Sequence, residues 1–178
     1  MDFSQYSNIS KIINKFGGIK ETMLNKKLYA KAEESWKLFS SKELAIIDSE
    51  IANTPQIYNS VITSEAICIY SMHTFTAIPV KDIIWVYGST FTQTMNFIPY
   101  NKTHSIHVMD RNGEVHTLGT MSTWGFSRKK PNDERIEIIK NLLSKERKGI
   151  IYGYNKEIYE LMTKNLKQAV EMVDNNSL

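Results

Sequence analysis

The sequence predicts an α+β fold built around an antiparallel sheet. Apolar side chains recur at helical spacing in residues 1–55, and residues 56–121 hold short runs rich in β-branched and aromatic residues. Helical spacing returns after residue 133. Strands that follow one another without intervening helices indicate an antiparallel meander. The inner face of such a sheet must be covered, and we expect C-terminal helices packed on it to do so.

Residues 1–55 predict helices separated by turns. Short apolar stripes indicate helices over residues 10–16 and 28–39. Ser40 is followed three residues later by Glu43, which is a capping-box pattern, so a third helix begins after Ser40. We interpret this zone as a helical N-terminal extension of the sheet.

Residues 56–121 predict the strands. Runs at 57–63, 66–71, 74–78 and 83–87 are short, apolar and separated by turn residues. The last of these runs is nearly continuous in its apolar character, as expected for a strand that is covered on both faces.

The clearest hairpin signal is the Asn112-Gly113 pair between the runs at 105–109 and 115–118. Both residues of this pair tolerate a positive φ, which the tight hairpin turns require. The segment before it, residues 88–103, leaves two interpretations open: a further hairpin or an interaction flap.

The C-terminal zone is helical in pattern. We expect one helix over residues 133–148, ended by Gly149, and a short apolar link after it. Asn155 is the expected N-cap of a single last helix, whose apolar stripe runs from Ile158 to Val173.

The composition is that of one ordinary globular domain. The chain has 178 residues, of which 42% are hydrophobic and 23% charged. We therefore expect the extension, residues 1–55, and the sheet with its helices, residues 56–178, to form one structural unit. The net charge of +3 is spread along the chain, so no specific nucleic acid is expected as a partner.

Cysteine usage and hydropathy point to the cytoplasm. The first residues lack a basic stretch followed by an apolar one, and no apolar run is long enough to span a bilayer. Cys68 is the only cysteine, and it lies inside a predicted strand between Ile67 and Ile69. A buried thiol without a basic neighbour is inert, so we expect Cys68 to be structural.

Two stretches resemble the pleckstrin-homology-like (PH-like) domains of bacteria, including families of unknown function. Residues 62–67 and 78–87 follow the pattern IT-x-x-x-I and then IP-x-x-DI-x-W-V-Y. The hairpin turn at 110–113, the helix over 133–148 and the G-x-x-x-G-Y link at 149–154 fit the same order. The resemblance implies a PH-like sheet or partial barrel and a non-catalytic role, and it supplies no catalytic residues.

Three histidines in the predicted hairpin raise the question of a metal site. His104 and His107 are separated by an odd number of residues, so they face opposite sides of a regular strand. Depending on the loop, His116 pairs with Met109 or with Val108, and neither register gathers all three imidazoles. We therefore expect hydrogen-bonded or solvated strand histidines, with no metal and no cofactor.

Residues 119–131 mix aromatic and basic side chains, a combination used to bind phosphates, lipid headgroups or single-stranded nucleic acid. We favour a plainer interpretation, in which the aromatic rings tuck into the core and the cations are solvated. The candidates are Trp124, Phe126, Arg128, Lys129 and Lys130.

Residues 88–103 supply the other candidates for an interaction surface, because they place apolar side chains among Ser, Thr, Gln and Asn. These candidates are Phe91, Met95, Phe97 and Tyr100.

The sequence therefore predicts a non-catalytic module that binds a protein or peptide, including a second copy of itself. Binding of a membrane surface or an anionic ligand through Arg128, Lys129 and Lys130 is the first alternative, and it ranks below protein binding. An enzyme with an unrecognised site is the second, although no catalytic motif occurs in the chain.

Overall fold

The computed structural model describes residues 2–177 and confirms the α+β class. Within that range the chain forms six helices and two sheets of four strands each, and both sheets are open. The chain divides into two compact units, Met1–Lys81 and Asp82–Leu178. The boundary between these units follows the fourth strand.

The first unit contains three helices followed by an antiparallel meander. The sheet order follows the sequence order, with every neighbouring pair antiparallel. The elements are α1 (Ser7–Lys15), α2 (Lys26–Trp36), α3 (Ser41–Ile51), β1 (Gln56–Ile57), β2 (Ser60–Ile62), β3 (Ala66–Ser71) and β4 (Thr74–Pro79).

The N-terminal helices pack on this sheet. Trp36, at the end of α2, buries its ring, and its Nε1 donates a 2.6 Å hydrogen bond to the carbonyl of Phe75 in β4. The predicted capping box is confirmed: the Ser40 side chain accepts from the amide of Glu43, whose carboxylate accepts from the amide of Ser40. The predicted strand over 57–63 is interrupted at Tyr58, which has a φ of 54°.

The second unit holds a mixed sheet in the order β7-β6-β5-β8. The pairs β5–β6 and β6–β7 are antiparallel, and the two-residue strand β8 adds a short parallel pair to β5. Its elements are β5 (Ile83–Met95), β6 (Ile98–Asp110), β7 (Val115–Trp124), α4 (Pro131–Leu143), β8 (Ile151–Tyr152), α5 (Lys156–Lys164) and α6 (Leu166–Asn175).

The C-terminal helices cover the start of this sheet, as expected. Trp85 of β5 packs with Met162 of α5 and with Val173 of α6, and all three are buried. The indole Nε1 of Trp85 donates a 2.6 Å hydrogen bond to the carbonyl of Gly153, which fixes the chain after β8. The packing of α5 and α6 therefore buries the first residues of β5 only.

The prediction of a single last helix is wrong. The apolar stripe continues past residue 158, but Asn165 adopts φ −136° and ψ 49°, outside the helical region, and separates α5 from α6. Asn155 caps α5 as predicted, since its Oδ1 accepts from the amide of Ile158 at 2.7 Å.

Candidate functional site

The β5–β6 pair forms a long hairpin that answers the question left open for residues 88–103. β5 runs on to Met95, a turn follows at Asn96 and Phe97, and β6 returns from Ile98. The pairing is regular apart from two irregularities in register, one between Ile83 and Trp85 and one between Gln93 and Thr94. The interpretation as a further hairpin is therefore confirmed.

Both faces of β5 become exposed beyond its start. Ile83 to Val86 are buried, whereas Ser89, Thr90, Phe91 and Thr92 are all exposed. A strand that is exposed on both faces has no apolar–polar alternation, which explains why the sequence pattern did not distinguish a strand from a flap.

The outer half of the hairpin carries an exposed apolar surface, which we call the apolar arm. Phe97 at its tip is 100% exposed. Met95, Tyr100 and Trp124 line a shallow groove of about 590 Å³ on this surface. The exposed side chains that define the apolar arm are Phe91, Met95, Phe97, Ile98, Tyr100 and Trp124.

The turn at the tip is unusual for its residue types. Asn96 and Phe97 have φ values of 50° and 64°, so both lie in the left-handed region. Asparagine tolerates this conformation, but phenylalanine is disfavoured there, and glycine is the usual second residue of such a turn. The ring of Phe97 gains no packing within the described chain to offset this cost.

The sheet also leaves backbone edges open next to the apolar arm. β7 is an edge strand of the described sheet, and β8 covers β5 only at Trp85 and Val86. The outer part of β5 therefore pairs on one side, with β6. Such edges can accept a strand from another chain.

A second feature of this unit is a cavity of about 950 Å³, which we call the basic cavity. Its wall is formed by β5 and β6, the loop before α4, the first two turns of α4 and the residues after β8. Its lining includes Lys102, His104, Phe126, Arg128, Lys129, Lys130, Asn132 and Asp133.

Two close contacts hold the loop before α4 in place. The Nζ of Lys102 donates a 2.9 Å hydrogen bond to the carbonyl of Ser127, which joins the loop to β6. A Cβ added at Gly125 would lie 2.2 Å from the carbonyl oxygen of Pro99, so only glycine fits where the loop passes the hairpin. The loop is thus built onto the strands.

The expectation that the aromatic rings of residues 119–131 tuck into the core is wrong. Trp124 is 81% exposed and Phe126 is 72% exposed. Trp124 belongs to β7 and joins the apolar arm, whereas Phe126 lines the basic cavity with Arg128 to Lys130. The fold therefore divides the candidates of this segment between two surfaces.

Lys102 and Asn132 are lining residues that the sequence analysis missed. Lys102 is the single lysine in a run of uncharged polar residues of β6. Asn132 follows Pro131 at the start of α4. The Lys130-Pro131 step at the start of a helical pattern was the one local signal for this turn, because proline favours the first helical position. Lys102 and Asn132 lie close to the loop before α4 only because of the tertiary fold.

The candidate histidines are engaged in hydrogen bonds. The ring nitrogens of His104 lie 3.0 Å from Thr90 Oγ1 and 2.9 Å from Thr123 Oγ1. Those of His107 lie 2.8 Å from Ser89 Oγ and 3.0 Å from Thr117 Oγ1. Burial lowers the pKa of both imidazoles, so the neutral rings are favoured.

His116 lies opposite Val108, which is the register that a three-residue loop with a glycine bulge predicts. It forms a different group, in which ligand atoms of Asp110, Glu114 and His116 lie within 4.8 Å of one another. The Asp110 carboxylate already accepts from the amides of Asn112 and Glu114 and lies 3.1 Å from His116 Nε2. These hydrogen bonds of Asp110 stabilise the turn, and they explain why the three side chains lie together.

The Cys68 thiol is fully buried in β3, and burial raises its pKa, as expected for a structural cysteine. Among residues 2–177, no helix has the length and apolar character needed to cross a membrane.

Comparison of the chain with protein-family models, with curated proteins and with solved structures found no match. Function is therefore inferred from the apolar arm and the basic cavity.

Proposed function

We propose that this chain is a non-catalytic binding module that contacts another polypeptide through the apolar arm, in the first instance a second copy of itself. The observation that carries the proposal is Phe97, a wholly exposed ring on a residue in the left-handed conformation. The turn requires this conformation but not a phenylalanine, and residues held in costly conformations are concentrated at functional sites.

The extent of the apolar arm supports the same proposal. Single exposed apolar residues are ordinary on protein surfaces, but contiguous patches mark interaction sites. Here Met95, Tyr100 and Trp124 line one groove, and Phe97 and Ile98 are exposed at the adjacent turn. Aromatic and Met side chains are enriched in the centres of protein interfaces. Burial of these rings against a partner would remove them from water.

The non-catalytic part of the proposal is supported by the state of the reactive side chains. The Cys68 thiol is buried, and both ring nitrogens of His104 and of His107 already have hydroxyl partners. We also propose a cytoplasmic location, which suits a chain with one reduced cysteine. Kinship with PH-like domains is part of the proposal, supported by the order of antiparallel strands followed by α4.

The test is the mass of the protein in solution, measured by light scattering on a sizing column over a range of concentrations. We compare the wild type with a variant that carries Phe91→Ser, Met95→Ser and Phe97→Ser. These three side chains are 65%, 67% and 100% exposed, so their replacement leaves the core intact. The proposal expects a wild-type dimer or larger oligomer and a monomeric variant.

A matched control removes the same number of exposed apolar side chains elsewhere. Met23, Leu24 and Leu38 are 96%, 89% and 61% exposed, and their triple replacement by Ser should leave the oligomer unchanged. A wild type that is monomeric at every concentration would refute self-association. Equal dissociation by the two triple variants would show that general apolar exposure, and not the apolar arm, drives assembly.

A further inference from the structure

We propose that the basic cavity binds a small phosphate ester that carries hydroxyl groups, such as a sugar phosphate. This site uses residues outside the apolar arm, so it can exist whether or not the chain self-associates. Its volume of about 950 Å³ lies within the range of small-molecule sites, roughly 300–1,000 Å³.

The charge of the lining favours an anion. Lys102, Arg128, Lys129 and Lys130 line the cavity against one carboxylate, that of Asp133. Lys130 and Asp133 are 3.9 Å apart, but both side chains are largely exposed, at 81% and 71%, so water screens their attraction. The lining therefore has an excess of positive charge to offer a phosphate group.

The first turn of α4 adds the backbone amide of Asn132 and the positive end of the helix dipole at the same place. This helix has 13 residues and begins at Pro131, and no side chain among residues 2–177 caps its N-terminus. Pro131 has no N–H and the amide of Asp133 donates to the carbonyl of Lys130, so Asn132 supplies the first-turn amide, and the helix dipole adds a partial positive charge there. A phosphate at a helix N-terminus satisfies both.

Asn132 is the second, independent observation that points to a ligand. It lines the cavity, yet its side chain is only 7% exposed. Its Nδ2 donates to the carbonyl of Ser89 at 2.9 Å, whereas its Oδ1 is buried without a hydrogen-bond partner among the described residues. A buried acceptor without a donor is costly and rare. This oxygen is closed to water in the free chain, so a ligand hydroxyl would donate to it after a small movement of the Asn132 side chain.

These features together define the ligand by its chemistry. The cations and the helix N-terminus select a phosphate group, and Asn132 Oδ1 selects a hydrogen-bond donor beside it. Sulfate is an anion without a hydrogen-bond donor at neutral pH, whereas ribose 5-phosphate carries an anionic group and hydroxyl donors. Comparing the two ligands therefore separates the contribution of the charge from that of the hydroxyl group.

The experiment is a titration of the full chain with ribose 5-phosphate and with sulfate, followed by calorimetry and by amide chemical shifts. We expect ribose 5-phosphate to bind more tightly than sulfate, with an affinity that falls as salt is added. The variant Arg128→Gln/Lys129→Gln/Lys130→Gln should weaken the binding of both anions by about tenfold or more. These three side chains are exposed, so the variant should fold.

Two further variants make the result specific. The variant Lys140→Gln/Lys145→Gln/Lys148→Gln loses the same three charges at exposed positions that do not line the cavity, and it should retain wild-type affinity. Asn132→Ala should weaken the binding of ribose 5-phosphate while the affinity for sulfate is unchanged. Retained sulfate binding also shows that this variant is folded.

A final arm distinguishes a soluble ester from a lipid headgroup. Phosphatidylcholine vesicles with and without phosphatidylinositol are tested by co-sedimentation, in the presence and absence of ribose 5-phosphate. Binding to phosphatidylinositol vesicles that ribose 5-phosphate competes away would support the cavity and assign its ligand to a membrane. The proposal is overturned if ribose 5-phosphate does not bind, or if the two triple variants weaken its binding equally.

Discussion

The side-chain amide of Asn132 donates a 2.9 Å hydrogen bond to the backbone carbonyl of Ser89, which joins the first turn of α4 to β5. The neighbouring residue, Gly88, lies so close that an added Cβ would be 2.8 Å from both Cβ and Nδ2 of Asn132. This contact holds α4 and the loop before it against the strands, at the point where β5 leaves the core.

Gly88→Ala should therefore destabilise the protein. The added methyl group would force Asn132 to move, and overpacking of this kind costs about 1–3 kcal/mol in the free energy of unfolding. Urea denaturation of the variant measures this cost. In an Asn132→Gly background the three nearest clashing atoms are gone, so the same change should cost less. An equal cost in both backgrounds would contradict the close contact.

Asp110→Asn should destabilise the protein at neutral pH and not in acid. Burial opposes ionisation of Asp110, but hydrogen bonds from His116 and from the amides of Glu114 and Asn112 outweigh it and lower the pKa of this carboxyl. A lowered pKa in the folded state stabilises the fold above the unfolded pKa of about 3.9, and this contribution is lost as the pH falls through the folded value.

We expect a cost of about 1–3 kcal/mol at pH 7, because hydrogen bonds to a charged group are stronger than neutral ones. The asparagine keeps an oxygen that can accept from the turn amides, so the charge is what the variant removes. The matched control is Asp133→Asn, whose side chain is 71% exposed. A cost at Asp110 that is the same at pH 7 and in acid would contradict the pKa argument.

Cys68 should react with a thiol reagent only after unfolding. The side chain is fully buried, so the reagent cannot reach the sulfur in the native state. Burial also raises the pKa of the thiol, so the reactive thiolate does not form. The reaction is followed by absorbance at mildly alkaline pH, with and without denaturant. Rapid labelling of the native protein would show that β3 opens readily or that the thiol is accessible.

Local patterns predicted the parts of the fold that depend on neighbouring residues. The capping box at Ser40 and Glu43, the N-cap at Asn155 and the hairpin turn at Asn112-Gly113 all rest on contacts within a few residues. The break at Asn165 escaped prediction because the apolar stripe of α5 continues in α6, so periodicity alone indicates one helix.

The candidate site could be predicted only in part, for a physical reason. The apolar and basic side chains were identifiable by type, but whether Trp124 and Phe126 are buried depends on how far β5 and β6 extend beyond the core. The basic cavity needs Lys102, the 125–130 loop and Asn132 together, and these residues meet only through the tertiary fold.

The most direct test of the central claim concerns Phe97, whose ring we assign to a partner and not to the fold. Phe97→Gly removes the ring and the strain of a left-handed phenylalanine, whereas Phe97→Ala removes the ring and keeps a Cβ in that conformation. Sedimentation equilibrium and urea unfolding are measured on both variants and on the wild type.

The account predicts that both variants raise the dissociation constant of the oligomer by about tenfold or more. The reason is that a ring exposed in the single chain and buried in the interface acts as an anchor. It also predicts that Phe97→Gly is at least as stable as the wild type and more stable than Phe97→Ala, since relief of the left-handed strain is worth up to about 1–2 kcal/mol. Unchanged association in both variants, together with a loss of stability in Phe97→Gly, would contradict the account and place the role of Phe97 in the fold.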